Sequence, residues 1–240
     1  MDLIIFREHS FTMKKYYYVF VTALSLISTC AIASLPHYYI AADAGIFKGE
    51  FNNNYTDKTD VIPLNITQPV MQNGYTVGAK LGFNSPCTQQ IFLGGELALH
   101  VEGHNASFQT GSTATVLSDN TQVEANLDLT FVPSLMLTRT VAGYLKIGAS
   151  LAYIQDTLSS PVSYTAVMQR YTSYKFAPGF SAGLGLTKSI TRCTSIYAEA
   201  NYDDYGTVNF SGFQNFLTTY AHSAHVYTYN IVVGMAYHFN

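Results

Sequence analysis

From residue 38 onward the large apolar side chains alternate with small or polar ones and do not recur every three or four positions. Tyr75, Val77, Ala79, Leu81 and Phe83 are separated by Thr76, Gly78, Lys80 and Gly82, the period of a strand with two unlike faces. Ile91, Leu93, Leu97, Leu99 and Val101 repeat the pattern against Gly94, Glu96, Ala98, His100 and Glu102. Six further segments follow it, over 38–46, 124–131, 145–153, 176–186, 196–203 and 227–239. The pattern predicts eight strands. Their connectors alternate in length: polar stretches at about 48–73, 103–122, 155–174 and 206–224, and short links at about 85–90, 138–142 and 188–193. Long links at one end and short ones at the other predict an all-β fold, an eight-stranded antiparallel up-and-down transmembrane β-barrel.

The charges decide which face points outward. Asp43, Lys80, Glu96, Asp128, Lys146 and Glu199 share one face, while the opposite face carries almost no charge. A charge facing lipid at the bilayer midplane costs roughly 2–4 kcal/mol, so the charged face is the lumen. Buried charges need partners. The expected lumen network sets Lys80 and Lys146 against Glu96, Asp128 and Glu199, with inward glycines and alanines making room in a narrow interior. Aromatic residues gather toward strand ends: Tyr38, Tyr39, Tyr75, Phe83, Phe92, Tyr144, Tyr153, Tyr197, Tyr202, Tyr237 and Phe239. Interfacial girdles would produce this distribution.

Composition supports the same reading. Of the 240 residues, 11% are charged and 48% hydrophobic, against about 25% charged in ordinary soluble domains. No uninterrupted apolar run reaches the roughly 20 residues of a spanning helix. The net charge is −3 without a basic stripe, which removes the electrostatic basis for nucleic-acid binding. Near the start, Met13-Lys14-Lys15, an apolar stretch and Ala31-Ile32-Ala33 read as a secretory signal peptide. Cleavage is expected after Ala33, which makes 1–33 the leader and 34–240 the barrel, with either Met1 or Met13 as the start. Cys30 leaves with that leader. Cys87 and Cys193 fall in two short turns on opposite sides of the rim, so a bridge between them requires one turn to fold beneath the barrel; a disulfide and two thiols both stay open here.

No phosphate-binding loop, dinucleotide fingerprint, HExxH or CxxC is present. His100 and His104 lie near Glu96 and Glu102 but read as packed or solvated histidines. His222-Ser223-Ala224-His225 falls in an expected external loop with no carboxylate evidently placed beside it. Asp203 and Asp204 are expected at a solvated outer rim. The expectation is therefore a protein without catalytic, metal-binding or cofactor-binding residues. Asn65, Asn105 and Asn209 open Asn-x-Ser/Thr triplets and mark exposed loops.

The final segment, Asn230-Ile231-Val232-Val233-Gly234-Met235-Ala236-Tyr237-His238-Phe239, resembles the C-terminal strand of outer-membrane β-barrels, with Asn240 as a one-residue departure. Gly94-Gly95-Glu96-Leu97, Gly183-Leu184-Gly185-Leu186 and Ile196-Tyr197-Ala198-Glu199-Ala200-Asn201-Tyr202 add to a likeness that covers about 34–240. The chain resembles the OmpA-like transmembrane domains and opacity-type surface proteins of Gram-negative bacteria. That resemblance implies loops outside the cell, turns in the periplasm, and Tyr237 and Phe239 as an insertion signal read by the barrel-insertion machinery. It also implies a monomer in the bacterial outer membrane, surrounded by lipid and lipopolysaccharide, with loops that meet host or surface ligands. Display with a structural or adhesive role leads; a narrow porin-like channel and a lipid A-modifying enzyme are the alternatives.

Overall fold

A computed structural model describes residues 36–57, 65–104, 108–110, 117–161, 168–210 and 220–239. The expected leader lies outside them. Eight long strands build the wall: β1 (His37–Asp57), β2 (Asn65–Pro86), β3 (Ile91–His104), β5 (Leu117–Met136), β6 (Val141–Pro161), β7 (Met168–Ser189), β8 (Thr194–Phe210) and β9 (Tyr220–His238). A three-residue strand, β4 (Phe108–Thr110), pairs with β5 beyond the wall. Every pairing is antiparallel, β1 joins β9, and a β3–β5 pairing closes the cylinder. Closure leaves the backbone of the wall without an open edge, the condition for strands in lipid. Among the described residues no helix is long and apolar enough to cross a membrane.

The three short links share one turn design. Thr88, Thr138 and Thr191 each occupy the second turn position, and each hydroxyl accepts from a backbone N–H two residues on, at 3.2–3.3 Å. Such a threonine offers the chain a local acceptor where the ladder stops. The repeated threonine at that position is a signal legible in the sequence itself.

Exposure inverts the soluble-protein rule. Tyr75, Leu129 and Val233 are 66%, 64% and 63% exposed, while Lys80 and Glu199 are 2% and 4% exposed. A continuous apolar belt of this kind is solvated by lipid.

The strands run further than the hydropathy pattern suggested. Most of the four stretches read as long loops are strand, because the alternation there reverses its sense and does not end. On β1 the outward sequence passes from Ile40 and Ile46 to Lys48, Glu50 and Asn52, and the inward one from Asp43 to Phe47 and Phe51. On β9 the inward face likewise passes from Asn230 and Thr228 to Val226 and Ala224. Phe47, Phe51, Val123, Ile154, Val208, Phe210 and Val226 then pack with Tyr205 and three alanines into one buried apolar cluster. The barrel thus has an inverted half, wrapped in lipid around a charged interior, and an ordinary half, with a polar outside and an apolar interior. About ten residues per strand suffice for the first, and the remainder of the wall strands, 17–22 residues long in all but the 14-residue β3, forms a collar above it.

Candidate functional site

Strand register builds the lumen from a motif used three times. Tyr39 on β1 faces Gly82 on β2, which faces Glu96 on β3. Tyr144, Gly185 and Glu199 repeat this across β6, β7 and β8, and Tyr197, Gly234 and Asp43 across β8, β9 and β1. Each tyrosine lies over the glycine of the neighbouring strand and donates its hydroxyl to the carboxylate of the strand beyond, at 2.7, 2.7 and 2.9 Å. The glycines are required by the close approach. A Cβ on Gly185 would lie within 2.6 Å of the Tyr144 hydroxyl oxygen, and those on Gly82 and Gly234 would meet the Tyr39 and Tyr197 rings.

The carboxylates so fixed surround two lysines. Lys80 lies 2.9 Å from Asp43 and 3.9 Å from Glu96 and also bonds Glu199. Lys146 lies 2.6 Å from Glu96 and 3.3 Å from Glu199. Lys80 additionally sits 4.6 Å from the Tyr197 ring centroid. Two acids shared by two lysines, with a third acid and three phenols around them, satisfy charges that would otherwise be costly in so dry a space.

Asp128 stands apart from the lysines. It accepts from Ser150 and lies 3.6 Å from His100, whose other nitrogen is 3.4 Å from Asp43. His100 is a packed lumen histidine. Of the expected network, Lys80, Glu96, Lys146 and Glu199 come together, Asp128 sits one level further toward the collar, and the sequence reading left out the part played by Asp43. It also placed Tyr39, Phe92, Tyr144 and Tyr197 in the girdles. They line the inside, because each occupies the inward parity of its strand. Aromatics on the lipid face include Tyr38, Phe83, Tyr237 and Phe239 at the turn end, and Tyr75, Tyr174, Phe176 and Tyr229 at the other. Tyr237 and Phe239 meet edge-on at 5.4 Å.

Several other positions differ from expectation. Asp203 is buried inside the barrel, where Thr228 donates to it; inward parity on β8 puts it there and not at a solvated rim. His222 to His225 belong to β9 and not to a loop, and the pairing of β8 with β9 brings Asp204 to 3.4 Å from the His225 imidazole. This is a partly exposed contact on the polar face of the collar. Asn65 and Asn209 lie in strands, and Asn105 falls outside the described residues. The β2–β3 and β7–β8 turns that carry Cys87 and Cys193 stand on opposite sides of the eight-stranded rim. Among the described residues no cluster of His, Cys, Asp or Glu has a geometry that would hold a metal ion.

On the collar, the Lys48 ammonium, 2.6 Å from Glu50, and the Tyr227 hydroxyl, donating at 2.6 Å, hold the Glu50 carboxyl below the usual carboxylate range. A carboxyl depressed in the folded state contributes stability above its unfolded titration point and loses it as pH falls through the folded one. The Tyr227→Phe variant is expected to move the Glu50 midpoint upward in a carboxyl-carbon NMR titration, and an unmoved midpoint would contradict the pairing.

No family model matches the chain. An uncharacterized protein of Coxiella burnetii (strain RSA 493 / Nine Mile phase I) is 28% identical over 219 residues, which is 84% of this chain and 84% of that protein. Neisserial surface protein A superposes with a TM-score of 0.42 over 84% of this chain and 97% of that one, at 11% identity. The outer membrane protein OprG from Pseudomonas aeruginosa superposes with a TM-score of 0.50 over 84% of this chain and 96% of that one, also at 11% identity. What the chain has in common with OprG is the fold of a transmembrane β-barrel.

Proposed function

We propose that the protein is an exported, integral outer-membrane barrel that anchors a collar and loops at the bacterial surface for a structural or adhesive contact. The observation that carries this reading is the reversal of hydropathy between Ile46 and Lys48, repeated on the other strands: the chain continues well past the lipid as a packed, polar-surfaced cylinder. A membrane plug alone has no use for that extension. The stretches around the strand tips are rich in Ser, Thr, Asn and Tyr and poor in charge, which suits polar contact with carbohydrate or protein surfaces. The OmpA-like and opacity-type affinity belongs to the same reading, as do the leader at 1–33, the monomeric state and the Tyr237 and Phe239 insertion signal.

Topology is tested with cysteines placed at Asn52 on the collar and at Arg139 in a turn. In intact cells a membrane-impermeant maleimide is expected to label the first above the background of the unsubstituted chain and the second only after the outer membrane is permeabilised. The opposite order would overturn the reading. Display is then tested by comparing adhesion of cells carrying the protein with that of cells in which 58–64 and 211–219 are replaced by glycine–serine segments. Equal adhesion would remove the adhesive role. For the channel alternative, the side chains that fill the lumen support an anchor over a conduit, and no stable conductance steps are expected from the purified protein in planar bilayers.

A further inference from the structure

At the turn end the lumen opens into a vestibule of about 320 Å³, the size of a small-ligand pocket. Its inner end is formed by Tyr39, Tyr144 and Tyr197 with Glu96 and Glu199 among them, while Lys80 and Lys146 lie on the far side of those carboxylates and do not line it. Hydrogen-bond accounting then gives this end one sign. All three phenols have committed their protons to carboxylates, so each presents only lone pairs, and an ionised carboxylate is acceptor-only. The walls further out set apolar Phe92, Val132 and Met136 beside polar Asn84, Ser134 and Ser195, with His37 and His238 on the same lining. An exposed mouth residue, Arg192, is a solvated charge screened over about 8 Å at physiological salt and does not cancel the acceptors deeper in.

We infer that this vestibule binds a small organic cation: a primary amine or guanidine, carried on an apolar stem. The donor group enters first and meets the phenol oxygens and the rings behind which the glutamates sit; aromatic faces and buried acids both favour a cation there. The stem lies along Phe92 and Met136.

The chain contains no Trp, so an indole probe excited beyond the tyrosine band reports its own binding in the purified barrel. Tryptamine, neutral indole and anionic indole-3-propionate differ mainly in charge. Tryptamine is expected to saturate and to bind at least tenfold more tightly than indole, with no saturation by the propionate. Ala142→Leu, which fills the vestibule, should abolish tryptamine binding while the folded band on an unheated gel persists. Tyr144→Phe, which removes one acceptor and keeps the ring, should weaken tryptamine threefold or more and leave indole unchanged; it also serves if Ala142→Leu fails to fold. Equal binding of all three probes, preference for the propionate, or no saturable tryptamine binding would overturn the inference.

Discussion

Replacing Lys80 by Met should cost the barrel about 3–5 kcal/mol, the magnitude of removing one partner from a buried charge cluster. Lys80 is fully enclosed and is the only lysine within reach of Asp43 among the described contacts. Its loss leaves Asp43 with the Tyr197 hydroxyl and His100, and leaves Glu199 to Lys146. The measurement is the urea midpoint of the refolded protein in detergent micelles or vesicles. Adding Asp43→Asn to Lys80→Met should recover part of the loss, because the orphaned charge goes with it. Lys48→Met removes a similar short ion-pair contact at the solvated collar and should cost no more than about 1 kcal/mol. If Lys80→Met proves as mild as Lys48→Met, the lumen is wet enough to screen its charges, and Lys80 does not sit in a desolvated tier.

The second large effect is expected at Gly185. Valine there drives the Tyr144 ring off its seat and away from Glu199. Overpacking of this kind costs about 1–3 kcal/mol, and a lost bond to a charged acceptor about 1.5–3 kcal/mol more. The test of mechanism is the double variant. With Tyr144→Ala the ring is absent, so Gly185→Val should be far better tolerated, and the two changes should couple by about 1–3 kcal/mol in a double-mutant cycle. Additive losses would show that Gly185 is needed for the backbone alone and not as the seat of a tyrosine. The same logic holds for Tyr39 on Gly82, which makes the Tyr-Gly-acid motif the recurrent unit that sets the lumen's layout.

Much of this architecture was legible beforehand, and particular residues show where legibility stopped. Period two over 75–83 and 91–101 dictates strands with a lipid face and a lumen face, because side chains on a strand alternate regardless of what surrounds them. Parity alone also separates Tyr38 from Tyr39, so the inward tyrosines could have been identified by counting; grouping aromatics by composition concealed them. Phe47 and Phe51 were harder. They continue the inward parity of Asp43 but reverse its polarity, and a reader following one hydropathy rule sees a strand ending where it changes solvent. His225 resembles a loop residue in hydropathy for the same reason, and only the β8–β9 register brings Asp204 beside it.

By itself the sequence determined the strand faces, the even count of wall strands, the turn ends and the charged character of the lumen, since all of these depend on local alternation and on the cost of a charge in lipid. The tertiary structure alone decided which charges meet. Glu96 and Glu199 are 103 residues apart (199 − 96), and they share Lys146 only because eight staggered strands close on themselves at β3 and β5. The stagger also carries each tyrosine over a glycine to an acid two strands away. No local propensity encodes that offset: it is a property of the closed hydrogen-bond ladder, and with it come the ion-paired lumen, the apolar collar and the acceptor-lined vestibule.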